Sequence, residues 1–269
     1  MKHPVRSRRL PRSMSIIRST ITALSFFLFA PAICHSEEDA TSGTKPYLLF
    51  EGTSSSDGRY AVAWGLPKDP ELWTKVCEFE RQHPHDTELN EEGLKQLNEL
   101  LDTVAEEEDL ENYIVDVRDG KIIHKLDSSY YSIAGRRPSH HDLEVVWSHA
   151  GDLVLVNHTY RYDCLAFCAL MVRDGKVGPS LDLNKKLGDA VRIFVAKSFP
   201  RGAGYSKEAL DVSFSDIKQL SGSKFTAHAE SVIGKEWSGD GTTVNFTVIA
   251  STERRTLKVA DIRVLWENR

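Results

Sequence analysis

Short runs of β-forming residues, each bounded by a Gly- or Asp-containing turn, dominate the chain after residue 45. Tyr60-Ala61-Val62-Ala63-Trp64, Tyr113-Ile114-Val115, Leu143 to Trp147, Asp152 to Val156, Phe167 to Met171 and Thr242 to Val248 read as strands. Val212 and Phe214 alternate with polar residues, as do Phe225, Ala227 and Ala229, so each set marks one face of a further strand. The period changes to helical in three places. Asp69-Pro70-Glu71 starts a helix, with a capping aspartate and proline at the first helical position, and Leu72, Trp73, Val76 and Phe79 follow at helical spacing. A second helix begins near Asn90, with Leu94, Leu97, Leu101 and Val104 as its apolar stripe. Its opposite face is acidic, through Glu91, Glu92, Glu99, Asp102 and Glu106 to Glu108. A third helix is expected over Lys185 to Lys197, with Leu187, Val191, Phe194 and Val195 inward.

The strands recur in a fixed order. Val-Arg-Asp-Gly-Lys occurs at Val117 to Lys121 and again at Val172 to Lys176, flanked each time by apolar β-formers. Asp-Gly in that setting signals a two-residue hairpin, because both turn positions favour positive φ. A Ser/Gly turn also precedes a strand three times: Ser55-Ser56-Asp57-Gly58, Ser148-His149-Ala150-Gly151 after Trp147, and Ser238-Gly239-Asp240-Gly241 after Trp237. Each unit therefore reads as an antiparallel meander of three or four strands.

Trp-Ser-x-Asp-Gly at the head of a strand resembles the repeat of TolB-type and WD40-like β-propellers, over residues 45–67, 112–183 and 236–266. The whole chain is also similar to exported bacterial proteins with degenerate repeats of this type. The fold class expected is mainly β, built of antiparallel meanders with a helical insertion at 68–111. The resemblance implies a partial or degenerate β-propeller; a β-sandwich with added helices is the alternative.

The first 36 residues differ from the rest. Lys2, Arg6, Arg8, Arg9, Arg12 and Arg18 are accompanied by no acidic residue, and an apolar run from Ile21 to Ala30 leads to Ala30-Pro31-Ala32 and Cys34-His35-Ser36. Basic region, short apolar region and small-residue cleavage site are the pattern of a secretory signal peptide over 1–36, with a β-rich domain over 37–269. The apolar run is shorter than the ~20 residues of a spanning helix, so no membrane insertion is expected after cleavage, and the location expected is periplasmic or extracellular. Removal of the leader takes away six of the 34 basic residues of the 269-residue chain and leaves 28 against 39 acidic ones. A net charge of that sign repels polyanions, which excludes nucleic acid as a partner. Cys164 and Cys168 share one strand, where four residues span roughly 13 Å. A disulfide needs Cα atoms within roughly 7 Å, so the two are read as small buried apolar residues.

Candidate chemistry is sparse. Arg136, Arg137, His140 and His141 lie together before a strand and suggest an anion or ligand site. His141 and Asp142 must point to opposite faces of that strand, and the arginines oppose a cation, so no metal is expected there. His83-Pro84-His85 reads as an inter-helix turn and Glu106 to Asp109 as a solvated face. No Gly-x-Ser-x-Gly, Ser-x-x-Lys or P-loop motif occurs. The function expected is a non-catalytic exported module that binds a protein or small ligand, without cofactor. The alternative is a hydrolase with its site near residues 136–142.

Overall fold

A computed structural model describes residues 45–85, 88–106, 108–161, 163–198, 212–233, 242–252 and 258–265. The leader, Cys34 and the Trp237 to Gly241 turn lie outside them. The meander expectation holds: three antiparallel sheets follow one another along the chain, each with its main strands in chain order. The first contains β1 (Leu48–Leu49), β2 (Tyr60–Gly65), β3 (Glu111–Asp116) and β4 (Lys121–Leu126). The middle sheet contains β5 (His141–Trp147), β6 (Leu153–Tyr160), β7 (Asp163–Arg173) and β8 (Lys176–Val177), with β9 (Leu181–Asp182) also paired to β7. The last contains β10 (Val212–Ser221), β11 (Lys224–Ile233), β12 (Thr242–Ser251) and β13 (Lys258–Leu265). Among the described residues these sheets do not join into a closed ring.

The first two sheets repeat each other down to their turns. Ser55 N–H donates to the Tyr60 carbonyl at 2.7 Å, and Ser148 N–H donates to the Leu153 carbonyl at the same distance. Gly58 N–H reaches the Ser55 carbonyl at 2.8 Å, as Gly151 N–H reaches that of Ser148, with φ of 66° and 69° at the two glycines. The serine hydroxyl bonds a carboxylate in both, Asp57 in one turn and Asp152 in the other. The carboxylate therefore does not have to precede the glycine, and Ala150 is tolerated where Asp57 stands in the first copy.

The pentapeptides close differently. Asp174 and Gly175 both have positive φ, 52° and 70°, in the expected two-residue hairpin between β7 and β8. In the first copy β3 ends at Asp116 and β4 starts at Lys121, a four-residue turn in which only Gly120 has positive φ. The cause is Asp116, a buried carboxylate that pairs with Arg59 at 3.0 Å and accepts the Asp119 amide at 3.3 Å, ending the ladder early. The third unit is offset from the expected alignment. Thr242 opens the third strand of its sheet, whereas Tyr60 and Leu153 open second strands. The turn equivalent to theirs is the tight one at Gly222, between β10 and β11.

Period-2 alternation explains the core. On β6, Val154 and Val156 point to the first sheet and meet Trp64, Ile114, Leu170 and Val172; Leu153 and Leu155 point the other way, to Phe167, Phe214, Phe225 and Ala227. The middle sheet is thus buried on both faces, which is why β6 begins with four consecutive apolar residues. Its first strand also touches both neighbours through side chains. Trp147 Nε1 donates to the Thr53 carbonyl at 2.7 Å, and Glu144 Oε1 accepts from Ile217 N–H at 2.6 Å.

The helical insertion lies between β2 and β3, as α1 (Pro70–Gln82) and α2 (Glu91–Ala105). Asp69 caps α1 by accepting the Leu72 amide and Asn90 caps α2 through that of Gly93, so both expected starts are observed. On α2 the buried line is Gly93, Leu97 and Val104, with Leu100 and Leu101 packed beside it, whereas Leu94 is exposed. Gly93, whose amide is bound by the Asn90 cap, takes the buried position expected for Leu94. The third helix, α3 (Leu183–Ser198), buries Leu183, Leu187, Val191 and Val195 against the middle and last sheets. No helix among the described residues is long and apolar enough to cross a membrane.

Candidate functional site

The linker from β4 to β5 carries Arg136, Arg137 and His140, and His141 opens β5; the four go to different places. Ile133 and Arg136 exchange backbone hydrogen bonds at 2.8 Å, so Arg136 sits on the outside of a tight turn with its side chain exposed. His140 is also exposed; it adopts φ of 67°, and its carbonyl accepts the Arg161 amide at 2.9 Å. Arg137 pairs with Asp142 and lies near the Tyr130 hydroxyl. His141 projects from the other side of β5 from Asp142, toward β6. Only Arg137 of the four lines the wide cleft between the β1–β2 loop, the linker and the end of α1.

That cleft has a volume of about 840 Å³. Residues 48–54 form one wall, the linker residues Tyr130, Ser132, Gly135 and Arg137 with Asp142 and Leu143 form the opposite one, and Glu80 and His85 close the end beside α1. The exposed first strand β1 and the start of β5, each at the edge of its sheet, run along it. Its inner surface is aromatic: Phe50 and Tyr130 rings meet at 5.2 Å, and Trp64 lies behind them. Its rim is charged. His85 Nε2 lies 3.1 Å from Glu51, and Glu80 accepts the Ala134 amide at 2.6 Å. Gly135 makes this end possible, because a Cβ on it would fall 2.1 Å from His85 Cδ2. Burial raises the pKa of Glu80, opposed by the Ala134 amide and by nearby His85.

Two buried polar side chains position the linker. Asn112 on β3 is fully buried; its amide donates to the Tyr130 carbonyl at 2.6 Å, and its oxygen accepts from Ser128 Oγ and Tyr130 N–H. His158 on β6 is 1 % exposed and lies 3.0 Å, Nε2 to Nδ1, from His141. The Tyr130 ring meets the His158 ring edge-on at 5.6 Å, so the same tyrosine faces the cleft on one side and the imidazole pair on the other. His158 Nδ1 has no hydrogen-bond partner among the described residues. Burial, reinforced by His141, lowers the His158 pKa to about 4, and both imidazoles are therefore neutral at pH 7.

The thiols are unreactive by their surroundings. Burial pushes Cys77 up to about 11 and Cys164 and Cys168 up to about 12, so none is a thiolate at neutral pH. All three are unbridged and partly buried. Asn157 fits a glycosylation pattern, but its amide is buried and donates to the Phe214 carbonyl at 2.7 Å. No group of three His, Cys, Asp or Glu side chains among the described residues is placed to hold a metal ion.

Glu51, Glu80 and His85 were not legible as site residues. His85 looked like part of a turn, and it is one; its partner Glu51 comes from a loop 34 positions earlier in the sequence. The charged rim is therefore assembled only by packing α1 against the linker. The chain matches no protein-family model, no curated protein and no solved structure.

Proposed function

We propose that the protein is an exported, non-catalytic binding module in which consecutive meanders form an arc of a degenerate β-propeller, with the cleft beside β1 and β5 as its ligand site. The arc is supported by the duplicated turns and by a middle sheet covered on both faces. A two-layer sandwich has no such doubly covered sheet. The binding reading rests above all on the cleft, whose volume lies in the range typical of small-molecule sites and whose aromatic interior carries a few polar groups at the rim. Its ionisable side chains are engaged with one another or with backbone, Arg137 with Asp142, His85 with Glu51 and Glu80 with Ala134. Such pairing orients a ligand rather than activating a nucleophile. Export rests on the leader alone.

The test is a thermal-shift screen of the purified protein against amines, carboxylates, sugars and short peptides. Leu49 and Ser54 are exposed and line the cleft, so Leu49→Trp and Ser54→Trp narrow it without touching the core. A ligand at 100 times its Kd adds about 2.7 kcal/mol, an upward shift of several degrees. At least one class is expected to shift the wild type but neither variant, and mass spectrometry should recover the ligand unchanged. A shift that survives in both variants contradicts the cleft as the site, and recovery of cleaved ligand favours a hydrolase.

A further inference from the structure

We propose that the cleft selects a small amphipathic organic cation, with an ammonium or guanidinium group at Glu80 and an apolar body against Phe50, Tyr130 and Leu143. This rests on the reading of the cleft as the binding site. Three carboxylates line it, Glu51, Glu80 and Asp142, against a single guanidinium, Arg137, and the lining contains no lysine. Arg137 is held by Asp142, and His85 lies against Glu51. Glu80 is left as a half-buried carboxylate with one oxygen on the Ala134 amide; His85, engaged with Glu51, lies nearby, and no lysine or arginine among the described residues pairs with it. A desolvated carboxylate gains most from a partner that brings a full positive charge and N–H donors together. The aromatic interior beside it suits the same ligand, because ring faces attract cations and bury an apolar body. An anionic ligand would meet the Glu80 carboxylate instead, a repulsion that strengthens as water leaves the cleft. The acidic excess of the chain after residue 36, 39 against 28, draws cations in the same sense.

Isothermal titration with 2-phenylethylamine, 2-phenylethanol and 3-phenylpropionate tests the assignment, since the three share an apolar body and differ in charge. The amine is expected to bind saturably, and the alcohol and the acid at least tenfold more weakly. Glu80→Gln keeps an oxygen for the Ala134 amide and should weaken amine binding at least tenfold while leaving the alcohol unchanged. Glu108→Gln, on the exposed turn after α2, should change neither. Equal binding of amine and alcohol, full amine affinity in Glu80→Gln, or no saturable amine binding overturns the proposal. If the alcohol binds as well as the amine and Leu49→Trp abolishes both, the cleft remains the binding site and only the cation assignment falls. If Leu49→Trp and Ser54→Trp leave every probe unaffected, the cleft reading itself fails.

Discussion

Asn112→Leu is expected to destabilise the protein by about 4 kcal/mol, lowering Tm by about 12 °C. The side chain is fully buried and makes three hydrogen bonds, two of them to the backbone of Tyr130 and one to Ser128. Leucine keeps the branched outline of the side chain but is larger, so overpacking adds to the loss of the polar contacts. Each buried donor or acceptor left without a partner costs about 1–3 kcal/mol, and the Tyr130 N–H and carbonyl would both be orphaned. The linker would then lose its anchor, and ligand binding should weaken along with stability. Denaturant unfolding measures the change; a loss below about 1 kcal/mol would mean that water replaces the amide and that Asn112 does not hold the linker.

The second large effect is expected on acidification. The His158 pKa is lowered from 6.5 to about 4 in the folded protein, so the unfolded chain binds this proton more readily. Stability from the neutral imidazole is fully present above pH 6.5 and is lost as pH falls from there toward 4. The shift corresponds to about 3 kcal/mol, at 1.36 kcal/mol for each pKa unit. His141 adds to the loss, because its pKa is lowered in the same direction, by burial and by His140. Glu80 and Glu144 act oppositely, since burial raises their pKa and favours their protonated forms in the fold. Comparing the wild type with His158→Phe separates these contributions. Phenylalanine preserves the ring beside Tyr130 and removes the titration. The stability difference between variant and wild type should shift by about 3 kcal/mol in favour of the variant between pH 7 and pH 4. Parallel pH profiles would show that His158 is not held neutral by its site.

The meanders could be read from the sequence because their signals are local. A Ser/Gly turn, a strand and an Asp-Gly hairpin each lie within ten residues, and the strand period of two is set by backbone geometry. Helix starts were equally plain, with Asp69 and Asn90 capping where expected. Errors arose where one residue answers to a distant one. Asp116 lengthens its turn because Arg59, 57 positions away, holds its carboxylate. The four residues picked before β5 diverge for a similar reason, since neighbours on a strand face opposite ways and a left-handed His140 turns the chain just before it. Glu80, Glu51 and His85 meet only when α1 packs against the linker, and no periodicity records that. Asn112 and His158 sit in the polar ends of their strands, beside Glu111 and Asn157, and nothing local marks which of those polar residues is buried or what it bonds.

Amide chemical-shift mapping during titration with the best stabilising ligand from the thermal screen tests the binding reading most directly. The largest shifts should fall on residues 48–54, Gly135 and Asp142, with the α3 and β11 amides unmoved. Shifts concentrated on α3 or the last sheet, with the cleft amides unchanged, would contradict it.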